Sequence, residues 1–218
     1  MSFTDVTMHV KPHSRASAYM DGLQMFSGAS LVLFMWAHLI MVSSILIGPK
    51  VMDALAHFFE STYLVQTGGP LIFLVFLVHF ALAARKIPLY TQDQRAIWQQ
   101  AKMLKHQDTW LWLVQVGTAM LILVMGSIHM WEILTDLPIT AAKSAARIQT
   151  GSWLTFYLFL LPIVELHVGI GFYRIGVKWG FVKNENRVKL KRVEHALTGL
   201  FILIGLLTLL RFLSLTVE

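Results

Sequence analysis

Four histidines, His38, His79, His129 and His167, each stand alone within a separate apolar stretch of this 218-residue chain. Imidazole is costly at bilayer depth and is a ready ligand for a transition metal. Their depths are paired. His38 lies nearer Lys50 than Asp21 within its stretch, and His129 nearer Glu132 than Asp108, whereas His79 lies nearer Arg85 than Glu60 and His167 nearer Arg174 than Arg147. In helices of alternating direction these positions form two layers, each holding two imidazoles from different helices. Two neutral nitrogen donors per layer suit the axial positions of two bis-histidine b-type haems stacked across a membrane. With both axial positions filled, such a haem transfers electrons rather than binding oxygen. A single intramembrane histidine would read as an ordinary polar packing residue; the repetition in four consecutive stretches favours ligation.

Glu165 is the second costly group at this depth. It stands two residues before His167 in WLTFYLFLLPIVELHVGIGFYRIGVKWG, Trp153 to Gly180. Two residues along a helix is about 200° of rotation, so the two side chains point to nearly opposite faces. Glu165 is therefore not expected to partner His167 and needs a role of its own. Small residues one turn from three of the histidines, Ala83, Gly126 and Gly171, would leave room for a macrocycle, although such residues also serve plain helix packing. His9, His13, His57, His106 and His195 fall at run ends or in loops, where a solvated side chain is the plain reading.

The elements that must carry these residues follow from composition. The chain is 56% hydrophobic and only 14% charged, with a mean hydropathy of +0.62, which marks a polytopic membrane protein. Having no cysteine, it can hold neither a disulfide, an iron–sulfur cluster of its own, nor a haem attached through C-x-x-C-H. No signal or transit peptide is evident in its first twenty residues. Five apolar runs, near residues 22–49, 61–85, 109–135, 148–178 and 195–215, are each long enough to cross about 30 Å of hydrocarbon at about 1.5 Å per residue. Lipid offers no partner to exposed backbone groups, so the fold class expected is all-α, with five transmembrane helices in a single domain. The first four form the histidine-bearing four-helix bundle.

Charge orients it. Fourteen of the 18 lysines and arginines fall in the N-terminal tail, the loop after the second run and the segment after the fourth, from Lys11 to Arg192. The others are Lys50, Lys143, Arg147 and Arg211. The excess marks the cytoplasmic side, with the N-terminus inside and the C-terminus outside. Trp110, Trp112, Trp131, Trp153 and Trp179 sit near run ends, as an interfacial belt requires. The positive net charge thus calls for anionic lipid and a soluble docking partner, and for no nucleic acid.

Four segments resemble one known family: AHLIMVSSILIG (Ala37 to Gly48), HFALAARKIP (His79 to Pro88), DTWLWLVQVGTAMLILVMGSIHM (Asp108 to Met130) and VELHVGIGFYRIGVKWG (Val164 to Gly180). They look like the dihaem cytochrome b subunit of bacterial quinol:fumarate reductases, in the succinate dehydrogenase superfamily. The resemblance implies two haem b groups, the distal one on His38 and His129 and the proximal one on His79 and His167. It implies propionate contacts at Gln24, Trp112 and Lys178 on the cytoplasmic edge and at Arg147 on the outer edge. One departure is Met25, where the family has a serine that hydrogen-bonds. The resemblance further implies that Glu60, in FFEST, takes part in menaquinol oxidation and that Glu165 carries a compensating proton inward. Partners follow: a cytoplasmic iron–sulfur subunit and an FAD flavoprotein that reduces fumarate, in a bacterial inner membrane, with a dimer of heterotrimers admissible. The alternatives are a succinate:quinone reductase, an anchor for another dehydrogenase, and a non-redox transporter or proton channel using the same buried His and Glu.

Overall fold

The computed structural model describes residues 14–216; Lys11, His9 and His13 lie outside them. Eight α-helices account for most of the chain, and among the described residues there is no strand. They are α1 (Arg15–Ser43), α2 (Pro49–Ser61), α3 (Leu64–Ala84), α4 (Thr91–Leu104), α5 (Gln107–Thr135), α6 (Ala141–Gln149), α7 (Trp153–Lys178) and α8 (Arg187–Leu213). α1, α3, α5, α7 and α8 are long and apolar enough to cross a membrane. The protein is an all-α polytopic membrane protein.

The packing order is a ring. α1 lies against α3, α3 against α5, α5 against α7 and α7 against α1, with α8 outside on α7 and α1. His38 and His129 therefore sit on diagonally opposed helices, and so do His79 and His167. Outward faces are apolar and exposed at helical spacing, as in Phe26, Leu33 and Ile40 of α1, Leu121, Val124 and Ile128 of α5, and Leu200, Leu203, Leu207 and Leu210 of α8. Such stripes face lipid. Between helices small residues permit close approach: a Cβ on Gly69 of α3 would meet Leu134 of α5 at 2.5 Å, and one on Gly205 of α8 would meet Leu161 of α7 at 2.5 Å.

Helix ends differ from the expected runs for identifiable reasons. α1 starts at Arg15, not near residue 22, because the Ser14 side chain accepts from Ser17 N at its N-cap. Its run does not reach Pro49. It tightens into a 3-10 turn over Ser44–Leu46, and Pro49 opens α2, where its missing N–H costs nothing. The fourth span begins at Trp153, not residue 148: Ile148 belongs to α6, and the chain turns at Gly151 with φ +59°. α8 begins at Arg187, well before residue 195, since a helix need not stop where its side chains become charged. α7 ends with Gly180 at φ +72°, the left-handed residue that lets Val182 N bond back to Gly176 O at 3.0 Å.

The short helices α2 and α6 cap one end of the bundle. Ile45, Met52, Ala141, Ala145, Ile148 and Phe212 form its buried core. Polar ties hold it together. Asp53 Oδ1 accepts from Ala141 N at 2.7 Å and Thr140 Oγ1 from Lys143 N at 3.1 Å, satisfying amides that the start of α6 would leave unpaired. Gln149 Nε2 donates to Phe212 O at 2.8 Å and Leu215 O at 2.7 Å, locking the end of α8 to α6.

Candidate functional site

One of the two expected pairs meets directly, and the other two histidines lie on the remaining, diagonally opposed helices. Near the α2/α6 end, the rings of His38 and His129 have centroids 6.0 Å apart. Two imidazole–metal bonds of about 2 Å each, plus the two ring radii, span roughly 6 Å, so this spacing admits one metal atom between them. His38 stacks on Phe34 of its own helix, with centroids 5.7 Å apart. His129 Nδ1 is 3.0 Å from Tyr157 Oη on α7. In the layer nearer α4, His79 Nδ1 is 3.0 Å from Ser27 Oγ on α1, and His167 Nδ1 is 3.0 Å from Thr118 Oγ1 and 3.1 Å from Gln115 O, both on α5.

Hydrogen-bond direction decides which ring nitrogen is free in this second layer. A carbonyl can only accept, so the contact with Gln115 O requires hydrogen on His167 Nδ1. A hydrogen on His79 Nδ1 is served in the same way, by Ser27 Oγ at 3.0 Å, which itself donates to Gln24 O at 3.1 Å, and by the Gln24 carbonyl. Thr118 Oγ1 likewise donates within its helix, to Val114 O at 2.8 Å or Gln115 O at 3.1 Å. Both Nε2 lone pairs are left free for a metal, the arrangement in which ligating imidazoles are ordinarily held.

Among the described residues, no three of His, Cys, Asp or Glu gather where they could hold an ion. His38 and His129 stand as two donors, and among those residues no third joins them. A bare zinc-type ion asks for three or four protein ligands; a haem iron, with four nitrogens from its macrocycle, asks for two. The donor set therefore fits haem.

Gly28 adds a steric condition that the spacing of small residues did not indicate. A Cβ there would stand 2.9 Å from His79 Cε1. Gly126 and Gly171, by contrast, meet ordinary helix neighbours: Ile122 at 3.4 Å and Phe76 at 3.7 Å, and Gln115 Nε2 at 3.3 Å. Gly28→Val should push the His79 ring out of its layer and lower the occupancy of that layer alone. Haem counted per chain, with Gly199→Val on the open side of α8 as control, checks this; unchanged occupancy would show that the close approach places no demand on His79.

Glu165 and His167 face apart, as their offset predicts. His167 turns to α5, while Glu165, 3% exposed, turns to α8. There it shares a cavity of about 10 Å³ with Trp36, Gly169, Glu194 and Thr198, close to the minimum for one water. Glu194 was not singled out from the sequence, because it stands where the charged segment meets the apolar run. It is 4% exposed; Thr198 Oγ1 donates to its Oε1 at 3.4 Å, and its Oε2 is 2.7 Å from His195 Nδ1.

The residues expected at propionates fall at the two ends. Asp21 was missed by sequence reading, yet it centres the α4 end: Arg85, Lys86 and Lys178 reach its carboxylate at 3.0, 2.9 and 2.8 Å. Gln24 Oε1 accepts from Lys86 Nζ at 2.7 Å, so Gln24 and Lys178 belong to one cluster. Trp112 is half-buried one turn before Gln115. At the other end Arg147, 10% exposed in its side chain, donates to Glu132 at 3.1 Å and Asp136 at 2.7 Å. A hydrogen bond from Lys143 holds the Asp136 carboxyl below the usual carboxylate range, with the charges of Lys143 and Arg147 assisting against partial desolvation. That tie is thus fully present above the ordinary value and lost as pH falls through the lowered one. Glu60, in the last turn of α2, accepts from Ile139 N at 2.5 Å and so pins the loop before α6.

Residues 91–208 match the family model for the succinate dehydrogenase/fumarate reductase transmembrane subunit. The chain belongs to that family. Proteins named fumarate reductase cytochrome b subunit are similar along most of its length. That of Helicobacter pylori is 37% identical over 200 residues, covering 88% of this chain and 78% of the relative. That of Wolinella succinogenes is 33% identical over 220 residues, covering 95% and 86%. This is the family that the four histidine-bearing segments resemble, and the chain is a membrane cytochrome b subunit of the fumarate reductase type.

Proposed function

We propose that this membrane subunit is the dihaem, quinol-oxidising part of a menaquinol:fumarate reductase. The observation that carries the reading is the meeting of His38 and His129 at 6.0 Å between diagonally opposed helices, supported by His79 and His167 on the other diagonal, each with its Nδ1 at a hydroxyl of a neighbouring helix. The haems, when bound, supply two one-electron carriers in line between the faces of the membrane. His38 and His129 hold the distal one, His79 and His167 the proximal one. Gln24, Trp112 and Lys178 bind propionate at the α4 end and Arg147 at the α6 end; the convergence of Gln24 and Lys178 on the Asp21 cluster supports the first of these.

Positive charge concentrates at the α4 end, which supports a cytoplasmic location for it, with the N-terminus inside and the C-terminus in the periplasm. Residues 85–106 and 174–192 then form the docking face for an iron–sulfur subunit, which feeds an FAD flavoprotein where fumarate is reduced. Glu60, half-buried at the opposite end, accepts a proton from the quinol hydroxyl as its electrons leave. Glu165 moves a compensating proton inward; its burial, its turn away from His167 and its cavity shared with Glu194 support a role separate from ligation.

A redox titration of the purified complex, with haem quantified per chain, tests the reading. Two b-type haems titrating in two steps are expected. A preparation without reducible b-type bands would overturn it in favour of a channel or transporter.

A further inference from the structure

The proposed ligands differ in what holds their second nitrogen. His79 and His167 each give Nδ1–H to an acceptor on a neighbouring helix, and the hydroxyl at each contact has already donated its own hydrogen within its helix. Each has one hydroxyl and one backbone carbonyl beside it: Thr118 Oγ1 and Gln115 O for His167, and Ser27 Oγ and the Gln24 carbonyl for His79. In the other layer His129 meets the Tyr157 hydroxyl and His38 stacks on Phe34.

Resting on the dihaem reading above, we propose that Ser27 and Thr118 are positioning residues that set the reduction potential and ring orientation of the proximal haem through His79 and His167. A donated Nδ1–H pushes electron density toward Nε2 and makes the imidazole a stronger donor, which favours ferric over ferrous iron and lowers the potential. With its own hydrogen on Gln24 O, Ser27 accepts from His79. Removing it leaves His79 Nδ1–H only the Gln24 carbonyl and loosens the ring. Removing Thr118 leaves the Gln115 carbonyl in place. The two hydroxyls therefore act in the same direction, each beside a backbone carbonyl that stays in place.

The test uses the intact complex in detergent, with Ser27→Ala, Ser27→Thr, Thr118→Val and Thr118→Ser. Haem per chain, the two potentials and the low-spin ferric EPR signals are measured in each. Ser27→Ala should raise the potential of one haem and shift its EPR signal, leaving the other haem as in the wild type. Thr118→Val should move the same haem in the same direction, and the hydroxyl-retaining variants should restore wild-type values. Tyr157→Phe marks the other layer and should move only the other haem. Retained haems with unchanged potentials and signals in both Ser27→Ala and Thr118→Val would overturn the proposal while leaving the dihaem reading intact. A wild-type complex with fewer than two haems would overturn that reading first. If Ser27→Ala fails to assemble, Thr118→Val, which keeps the backbone acceptor, carries the same test alone.

Discussion

On the dihaem reading, replacing His129 with alanine should leave the complex with one b-type haem in place of two. The distal pair is two rings 6.0 Å apart, and among the described residues no third His, Cys, Asp or Glu gathers with them. Truncation would therefore remove one of the two protein ligands proposed for that iron, with no third residue of these types gathered beside the pair to replace it. The proximal pair is built from different helices and held by its own hydrogen bonds to Ser27, Thr118 and Gln115, so its haem should remain. Pyridine haemochrome analysis should fall from two haems to one, and quinol-linked fumarate reduction should fall to background while an artificial donor entering through the soluble subunits still supports it. Two haems in His129→Ala would remove His129 from the ligand set.

Glu60→Gln and Glu165→Gln should fail in different ways. At Glu60 the glutamine carbonyl oxygen can still accept from Ile139 N, so the loop before α6 stays pinned and both haems stay bound. Only proton acceptance is lost. Quinol oxidation should drop by roughly 100-fold or more, the usual effect of removing a general base, with the artificial-donor reaction intact. At Glu165 the side chain turns into the cavity beside Glu194 and away from His167, so its substitution should also spare the haems. Its mark is in charge balance. With the relay working, protons released outside are matched by protons carried in, and turnover builds no voltage. With it blocked, turnover in proteoliposomes slows or becomes electrogenic. Full activity without voltage in Glu165→Gln would end its role as carrier, and unimpaired quinol oxidation in Glu60→Gln would end that of Glu60.

What could be read from the sequence was whatever one helix specifies by itself. His38, His79, His129 and His167 announced themselves because each interrupts an apolar run, and their layers followed from distances to charged residues at the run ends. The opposite facing of Glu165 and His167 followed from helical rotation alone. The helix starts at Arg15 and Arg187 did not follow, because hydropathy reports where lipid ends and a helix continues past that point for as long as its backbone is capped or bonded. Ser27, Thr118 and Tyr157 were also hidden. Each meets its histidine across a helix interface, and no spacing within either helix encodes that meeting. Asp21 is obscured differently: in the hydropathy pattern an acid one turn from Gln24 marks the edge of a span, whereas three cations from α7 and the end of α3 converge on it.

The diagonal placement of the histidines also imposes an order on biogenesis. Helices enter the membrane as the ribosome delivers them, and each donor pair joins partners that are not consecutive in the chain. His38 and His129 can meet as soon as α5 is inserted, with α7 still to come. His79 has no opposite number until α7 follows and brings His167, and the same helix delivers Tyr157 to the ring of His129. In chain order, then, the partners His38 and His129 are both present once α5 is in place, whereas His167 and the Tyr157 that meets His129 arrive together with α7.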